Sequence, residues 1–218
     1  MVLHIVTSHW KEDLEWLKNS KWPVILIDKE GADPSWLAPQ HVIPNFGQEV
    51  SAYLKYIIEN YNNLPEHVAF IHGHETAWHQ YHDRPLLEVI EKARIYDYEF
   101  IPINNWFRTY EFLNEETDDY MKIEDMWSKY EFPFKKPPKH FEMDCPLGAQ
   151  FIVSRNRILR NPLNLYQNWF EKLKTDDKVR SSTFFELVWH IIFGEFWSLP
   201  TNQDWFEFKT ERTRVWAL

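Results

Sequence analysis

Four histidines fall within eleven residues, where a short apolar run gives way to polar sequence. Val68 to Ile71 is followed by His72, Gly73, His74 and Glu75, and then by His79, His82 and Asp83. Side chains two positions apart in an extended segment point the same way, so His72 and His74 can meet one ion. The pattern predicts a metal site at the end of a strand. The alternative is a pair of hydrogen-bonded surface histidines.

Short apolar runs alternate with amphipathic segments along the chain, and these elements must position the histidines. Strands are predicted at Val2–Val6, Val24–Ile27, Val42–Ile43, Val68–Ile71, Phe100–Ile103 and Gly148–Arg155, and helices at Lys11–Asn19, Gln48–Tyr61, Leu86–Arg94 and Leu163–Lys174. A strand, a helix and a second strand in succession favour a parallel pair with a right-handed crossover. The sequence therefore predicts an α/β fold with a mostly parallel central sheet flanked by helices.

The chain is interpreted as a single domain over residues 1–218. The core is expected over residues 1–195, and residues 196–218 are a C-terminal extension or a linker to another domain. Residues 109–139 are rich in charged and aromatic side chains and are expected to be an irregular insertion beside the cleft.

Composition excludes several classes of function. A formal net charge of -9 disfavours a nucleic-acid partner, because phosphate backbones need a basic face. No run approaches about 18 apolar residues and no signal peptide begins the chain, so no membrane span and a cytoplasmic location are expected. The lone Cys145 is interpreted as a small buried hydrophobe. Aromatic residues make up 17% of the chain, which fits a large core as well as a carbohydrate or nucleotide cleft.

Polar side chains follow the predicted parallel strands. Since ligands of open α/β sheets bind beyond the carboxyl ends of the strands, these residues are the candidate binding groups. They are Thr7, Ser8 and His9, then Asp28 and Lys29, then Asn45 and Gly47 before the long helix, and His72 to His74. For Asn45-Phe46-Gly47 an ordinary turn that starts a helix is the alternative.

A late helix carries two more candidates. Ser181 to Thr183 can cap a helix that runs to about Gly194, in which Glu186 and His190 share one face because they are one turn apart. The alternative is a capping-box glutamate and a buried, hydrogen-bonded histidine.

The order of the stretches VTSHWKEDLEWL, ILIDK, IPNFGQEVSAYLKYIIENYNNLP, VAFIHGHE and CPLGAQFIVSR resembles the GT-A class of nucleotide-sugar glycosyltransferases. Residues 1 to about 195 also resemble a group without known function whose signature is N-x-G-R-E-A, followed by a tyrosine-rich helix and F-x-x-G-H. They are similar, too, to the N-terminal glycosyltransferase domain of a multidomain chlorella-virus protein. The chain departs from these patterns at Gln48, where the signature has Arg, and at His72-Gly73-His74, where GT-A enzymes have D-x-D.

The resemblance implies a UDP-sugar donor, a glycan or glycoprotein acceptor and a retaining transfer of a sugar such as rhamnose. By position it implies that Thr7 and Ser8 line the base and ribose, that Asp28 accepts from the uracil N–H, and that Lys29 or Arg155 meets phosphate. Mn²⁺ or Mg²⁺ would be held by His72 and His74, with His190 or Glu75 as a further ligand. Imidazole leans toward softer ions, and Mn²⁺ suits it when phosphate and water complete the shell.

The resemblance also implies the catalytic candidates. Many GT-A enzymes place an acidic residue where Glu186 lies, which makes it the first choice, and Asp144 is the second. Because the resemblance includes a viral domain, a host-cell cytoplasm is implied if the chain is viral.

Two other classes of function stay open. A metal-dependent hydrolase would use the HGHE cluster with His79 or His82 as three ligands around an activated water. A carbohydrate-binding module without catalysis would use the aromatic residues, but it would not need the polar strand ends.

Overall fold

The architecture is that of a computed structural model. It describes residues 2–29, 36–81, 84–111, 123–136, 138, 141–200, 204–209 and 213–216. Two of the residues singled out from the sequence, His82 and Asp83, lie outside this part of the chain.

The described residues form nine strands and six α-helices. The strands are β1 (Leu3–His9), β2 (Val24–Asp28), β3 (His41–Val42), β4 (His67–His72), β5 (Phe100–Pro102), β6 (Trp106–Glu111), β7 (Glu142–Pro146), β8 (Phe151–Ser154) and β9 (Thr213–Trp216). The helices are α1 (Gln48–Asn60), α2 (Leu86–Glu91), α3 (Ile123–Lys129), α4 (Arg155–Leu159), α5 (Leu163–Leu173) and α6 (Lys178–Ile192). A 3₁₀ helix, Glu15–Asn19, takes the place of the first predicted helix.

Six strands form the central sheet in the order β3-β2-β1-β4-β8-β5. Neighbours among β1 to β4 run parallel, whereas β8 is antiparallel to both β4 and β5. The first five residues of β4 are buried, as the continuous apolar run predicts for a central parallel strand. The predicted α/β fold with a mainly parallel central sheet is confirmed.

The strand order changes direction between β1 and β4. β2 and β3 continue on one side of β1, and the chain then returns through α1 to place β4 on the other side. The register sets Ser8 beside His72 across this junction, and His9 beside Asp28 across β1 and β2. The crevice beyond the carboxyl ends at such a junction is the usual ligand site of an open α/β sheet.

Helix α1 covers the sheet and supports this crevice. Val50, Leu54 and Ile57 recur at steps of three and four and are fully buried, which is the predicted apolar stripe. The helix packs on β1 and β2 and against α5 and α6.

Aromatic side chains fill the space between α1, α6 and β8. Tyr53 of α1 lies 6.1 Å, ring centroid to ring centroid, from both Phe151 and Trp189, and Trp189 stacks on Phe193 at 5.7 Å. Such ring pairs add stability beyond the area that they bury. Much of the aromatic excess is therefore core.

A second sheet has the order β7-β6-β9, with β6 antiparallel to β7 and parallel to β9. The end of β6 falls in region 109–139, which was predicted as an irregular insertion, and β9 falls in the predicted C-terminal extension. Within the expected irregular region 109–139, α3 is regular, and the buried Tyr130 that follows it packs on Phe184 and Phe185 of α6. Residues 112–122 lie outside the described part.

The start of α6 differs from the prediction. The helix begins at Lys178 because Asp177 caps it, accepting a hydrogen bond from the Arg180 N–H at 2.7 Å. Ser181 and Thr183, predicted as caps, lie inside the helix, and their hydroxyls donate to carbonyls four residues back.

Candidate functional site

A cavity of about 330 Å³ lies where β1 and β4 end. Its lining includes Ser8, Trp10, Glu49, His72, His74 and Lys178. A wider depression of about 800 Å³ adjoins it and shares Trp10, Glu12 and His74. The polar strand ends therefore converge, but only some of the expected side chains face the cavity.

The two residues at the end of β1 differ in environment. Ser8 lines the cavity, as expected. Thr7 is fully buried, and its hydroxyl has no hydrogen-bond partner among the residues that the structure describes. Successive side chains of a strand point to opposite faces, so the two hydroxyls do not act on one ligand together.

Asp28 is buried behind the cavity rather than exposed in it. Its Oδ1 lies 2.8 Å from Nδ1 of His9, and Nε2 of His9 lies 3.1 Å from the Glu12 carbonyl oxygen. The pair fixes the loop after β1. The expected contact of Asp28 with uracil is thus replaced by an internal contact.

Lys29 anchors the start of α1. It is only 1% exposed, and its Nζ donates to the Phe46 carbonyl at 2.6 Å, to the Gln48 carbonyl and to Ser51 Oγ. Burial lowers the pKa of Lys29 to about 7. Lys29 lines the cavity, but the three N–H donors of its ammonium are used inside the protein, and its contact with phosphate stays a prediction.

Asn45 and Gly47 shape the turn before α1. Gly47 has a φ of 56°, and a Cβ there would lie 3.3 Å from the Leu173 side chain. Asn45 lines the cavity and its Oδ1 accepts from Lys178 Nζ at 2.8 Å. Glycine is therefore needed for the turn and for close packing on α5, and Asn45 contributes by holding a lysine.

The two flanking histidines of His72-Gly73-His74 point to different environments. Nε2 of His72 is shielded from solvent and has no hydrogen-bond partner in the described part of the chain, and burial lowers the pKa of His72 to about 3. The His74 side chain is 57% exposed, with Nε2 3.9 Å from Glu12 Oε1. The expected alternation fails because β4 ends at His72.

Gly73 makes room for a side chain of the protein. A Cβ at Gly73 would lie 3.0 Å from Cβ of Glu12. The space beside Gly73 is thus filled by Glu12.

The remaining histidines have internal partners. Nδ1 of His79 lies 3.2 Å from Asn104 Oδ1, and Nε2 of His190 lies 3.0 Å from the Trp197 carbonyl oxygen. Both residues are buried. His190 therefore holds the turn after α6, which is the alternative given for it from the sequence, and it is not a ligand beside His72 and His74.

Within the described ranges, no group of three or more His, Cys, Asp and Glu side chains is arranged to hold a metal ion. The three predicted ligands His72, His74 and His190 thus do not form one set. A hydrolase set of His72, His74 and His79 does not form either, and Glu75 is exposed at the wider depression.

The two catalytic candidates lie outside the cavity lining. Glu186 Oε1 accepts a hydrogen bond from the Gly148 N–H at 2.6 Å. It is not the predicted capping-box residue, because α6 begins eight positions earlier. Asp144 lies in the second sheet, where its Oδ1 accepts from Thr109 Oγ1 at 2.6 Å.

Arg155 lies next to the start of β4, at the opposite end of the strands from the cavity. Its N–H donates to the carbonyl of Glu66, the residue before β4, at 2.8 Å. The histidines follow the opposite end of the same strand. The predicted phosphate contact of Arg155 is therefore wrong for this cavity.

Three charged residues of the lining, Glu12, Glu49 and Lys178, were not predicted from the sequence. Glu49 stands in the first turn of α1, and burial raises its pKa to about 7. A hydrogen bond from its own N–H and the charges of Lys29 and Lys178 oppose this shift, whereas the charge of Glu186 adds to it. Lys178 also lies 5.8 Å from the Trp10 ring centroid. Glu49 could have been identified by its position, two residues after Gly47 at the start of the predicted helix. Lys178 was missed because α6 was predicted to begin after it.

None of the described helices has the length and apolar character needed to cross a membrane. The cytoplasmic location stays a prediction. Cys145 is fully buried, as expected. No curated protein matches the chain. A family described as "Protein of unknown function (DUF3431)" matches residues 4–204, and the chain therefore belongs to that family.

Proposed function

We propose that the protein is a glycosyltransferase that moves a sugar from a UDP-sugar to a glycan or glycoprotein acceptor. The observation that carries this proposal is the cavity at the β1–β4 junction, which combines an amphipathic aromatic ring, cationic side chains and a carboxyl group. The sheet order and the resemblance of the sequence to the GT-A class support the same interpretation.

The cations of the lining suit a diphosphate. A leaving nucleoside diphosphate gains negative charge as the bond to the sugar breaks, and fixed positive groups stabilise it. Lys178 is half-buried beside Asn45, and its ammonium has three N–H donors, so it can donate to phosphate as well as to that amide. His74 adds an exposed imidazole close by.

Trp10 is a candidate platform for the base or the sugar. The residue is 47% exposed at the rim, and Lys11 Nζ lies 5.0 Å from its ring centroid. An indole face flanked by ammonium groups attracts flat or apolar ligand surfaces and leaves the cations free to meet phosphate.

Mn²⁺ or Mg²⁺ stays part of the proposal. His72 and His74 both line the cavity, and Nε2 of His72 is buried without a hydrogen-bond partner among the described residues. This supports a metal bound by His72, which His74 would join only if its exposed side chain turned toward the same ion. Phosphate oxygens and water would supply the rest of the shell. When bound, the metal would neutralise charge on the diphosphate.

Titration calorimetry with UDP tests the proposal. Wild-type protein is expected to bind UDP at millimolar concentration or below, more tightly with Mn²⁺ present. Lys178→Ala should weaken binding by roughly 10-fold, the loss expected for about 1.4 kcal/mol from a charge-assisted hydrogen bond.

Lys92→Ala is the matched control, because Lys92 pairs with Glu207 on the surface and lies outside both cavity linings. It should bind UDP as the wild type does. Absence of UDP binding with metal present, or equal affinity in Lys178→Ala and wild type, would contradict the proposal.

A further inference from the structure

Glu49 and Glu186 lie on facing helices and are brought together by an aromatic contact. Tyr53 follows Glu49 by one turn on α1, and Trp189 follows Glu186 by three residues on α6, so each pair shares a helix face. The Tyr53 and Trp189 rings are 6.1 Å apart. Glu49 lines the cavity, whereas Glu186 lies behind it against the Gly148 N–H.

The surroundings of Glu49 favour its neutral form. A backbone hydrogen bond favours the ionised form of both carboxylates, since Glu186 accepts from the Gly148 N–H and Glu49 accepts from its own N–H, but burial of Glu49 and the charge of Glu186 act against ionisation of Glu49. Burial and then Glu186 raise the pKa of Glu49 to about 7. The other groups that face it are Lys29 after β2, Lys178 on α6 and the Tyr53 phenol on α1.

The two lysines do not cancel this effect, because each has another partner. Lys29 donates to two carbonyls and to Ser51, and Lys178 donates to Asn45. His72, on the β4 side of the cavity, has a lowered pKa of about 3 and is neutral. Near neutral pH, the protonated and the ionised forms of Glu49 are thus both populated where a ligand in the cavity meets this carboxyl group.

We propose that Glu49 is the proton donor and acceptor of this cavity, with Glu186 as a positioning residue behind it. The inference rests on the proposed sugar transfer. The acceptor oxygen forms a bond to the anomeric carbon while the bond from that carbon to the diphosphate oxygen breaks. The proton of Glu49 passes to the diphosphate oxygen, and the proton of the acceptor hydroxyl passes to Glu49. The carboxyl group ends as it began.

The test is the pH dependence of UDP binding, measured by calorimetry at about pH 6 and about pH 8. If the protonated form is the one that binds, its fraction falls about 10-fold over this interval, and the wild-type Kd should rise by the same factor. Glu49→Gln stays neutral, so its Kd should change by less than about 2-fold beyond the effect of UDP ionisation, which all variants share. Glu186→Gln removes a negative neighbour and so lowers the pKa of Glu49, which should shift the loss of UDP affinity to lower pH.

Glu59→Gln is the matched control, since Glu59 lies exposed at the other end of α1 in an ion pair with Lys55. It should keep the wild-type pH profile. If UDP binds but Glu49→Gln keeps that profile too, the inference is overturned and the proposed function survives. If UDP does not bind at any pH, the proposed function fails. In that case, an NMR titration of the Glu49 carboxyl carbon in the free protein tests the inference by itself. A titration midpoint near the unperturbed glutamate pKa would overturn the inference that Glu49 carries a proton in the cavity.

Discussion

Replacing Glu49 with Gln is expected to stabilise the protein at alkaline pH and to change its stability little at acidic pH. Burial raises the pKa of this carboxyl group from 4.5 to about 7, so the folded chain binds more protons than the unfolded chain between these values. The stability that this group contributes is present below the unfolded pKa and is lost as pH rises through the folded pKa. A glutamine does not ionise and avoids that loss.

The size of the effect follows from the pKa difference. At about 1.36 kcal/mol for each pKa unit, the full difference amounts to about 3.4 kcal/mol. Glu49 is partly exposed at the cavity, and solvent screening reduces the expected gain to about 1–2 kcal/mol. In a chain of this length that gain corresponds to a rise in Tm of roughly 2–8 °C.

Guanidinium unfolding of wild type and Glu49→Gln at about pH 5 and about pH 8.5 measures this difference directly. Glu59→Gln, on the surface of the same helix, should show no such dependence on pH. A Glu49→Gln variant that is less stable than wild type at the higher pH would refute the reasoning, because it would mean that the ionised carboxylate is held by favourable contacts.

Two further predictions concern the support of the cavity. Gly148→Ala should destabilise the protein by about 2–4 kcal/mol in chemical unfolding, because Gly148 has a φ of 88° and a Cβ there would lie 2.6 Å from His79 Nδ1; stability equal to wild type would contradict this geometry. His190→Phe should lower stability by about 1–3 kcal/mol through loss of the contact with the Trp197 carbonyl, without changing Mn²⁺ affinity, whereas His74→Ala should weaken Mn²⁺ binding at unchanged stability; calorimetric titration with Mn²⁺ would expose the reverse pattern.

Much of the sheet could be predicted because each buried strand or helix face has its own pattern of apolar residues in the sequence. The apolar run Val68 to Ile71 becomes β4, and the stripe through Val50 and Leu54 becomes the buried face of α1. These patterns depend on residues close together in the chain. The convergence of Ser8 and His72 followed from the rule for parallel strands and is also present in the register.

The fates of individual polar side chains could not be predicted, because they depend on contacts between distant segments. Asp28 of β2 is hydrogen-bonded to His9 of the neighbouring β1, and His190 is hydrogen-bonded to the Trp197 carbonyl beyond the end of α6. Neither partner is marked by a local motif. The types of the residues and their positions at the ends of strands predicted where the cavity lies. Contacts between distant segments determine which of these side chains are exposed in it.

A count of hydrogen-bond donors shows why Lys178, more readily than the predicted Lys29, can bind a phosphate. An ammonium group has three N–H donors, and those of Lys29 are used by Phe46, Gln48 and Ser51, so a phosphate could recruit Lys29 only by releasing the start of α1. Lys178 has a single side-chain acceptor, Asn45, among the hydrogen bonds of the described residues. It therefore keeps donors for an anion without cost to the helix. Lys29, which follows β2, therefore supports the cavity, whereas Lys178, which begins α6, has donors available for the ligand.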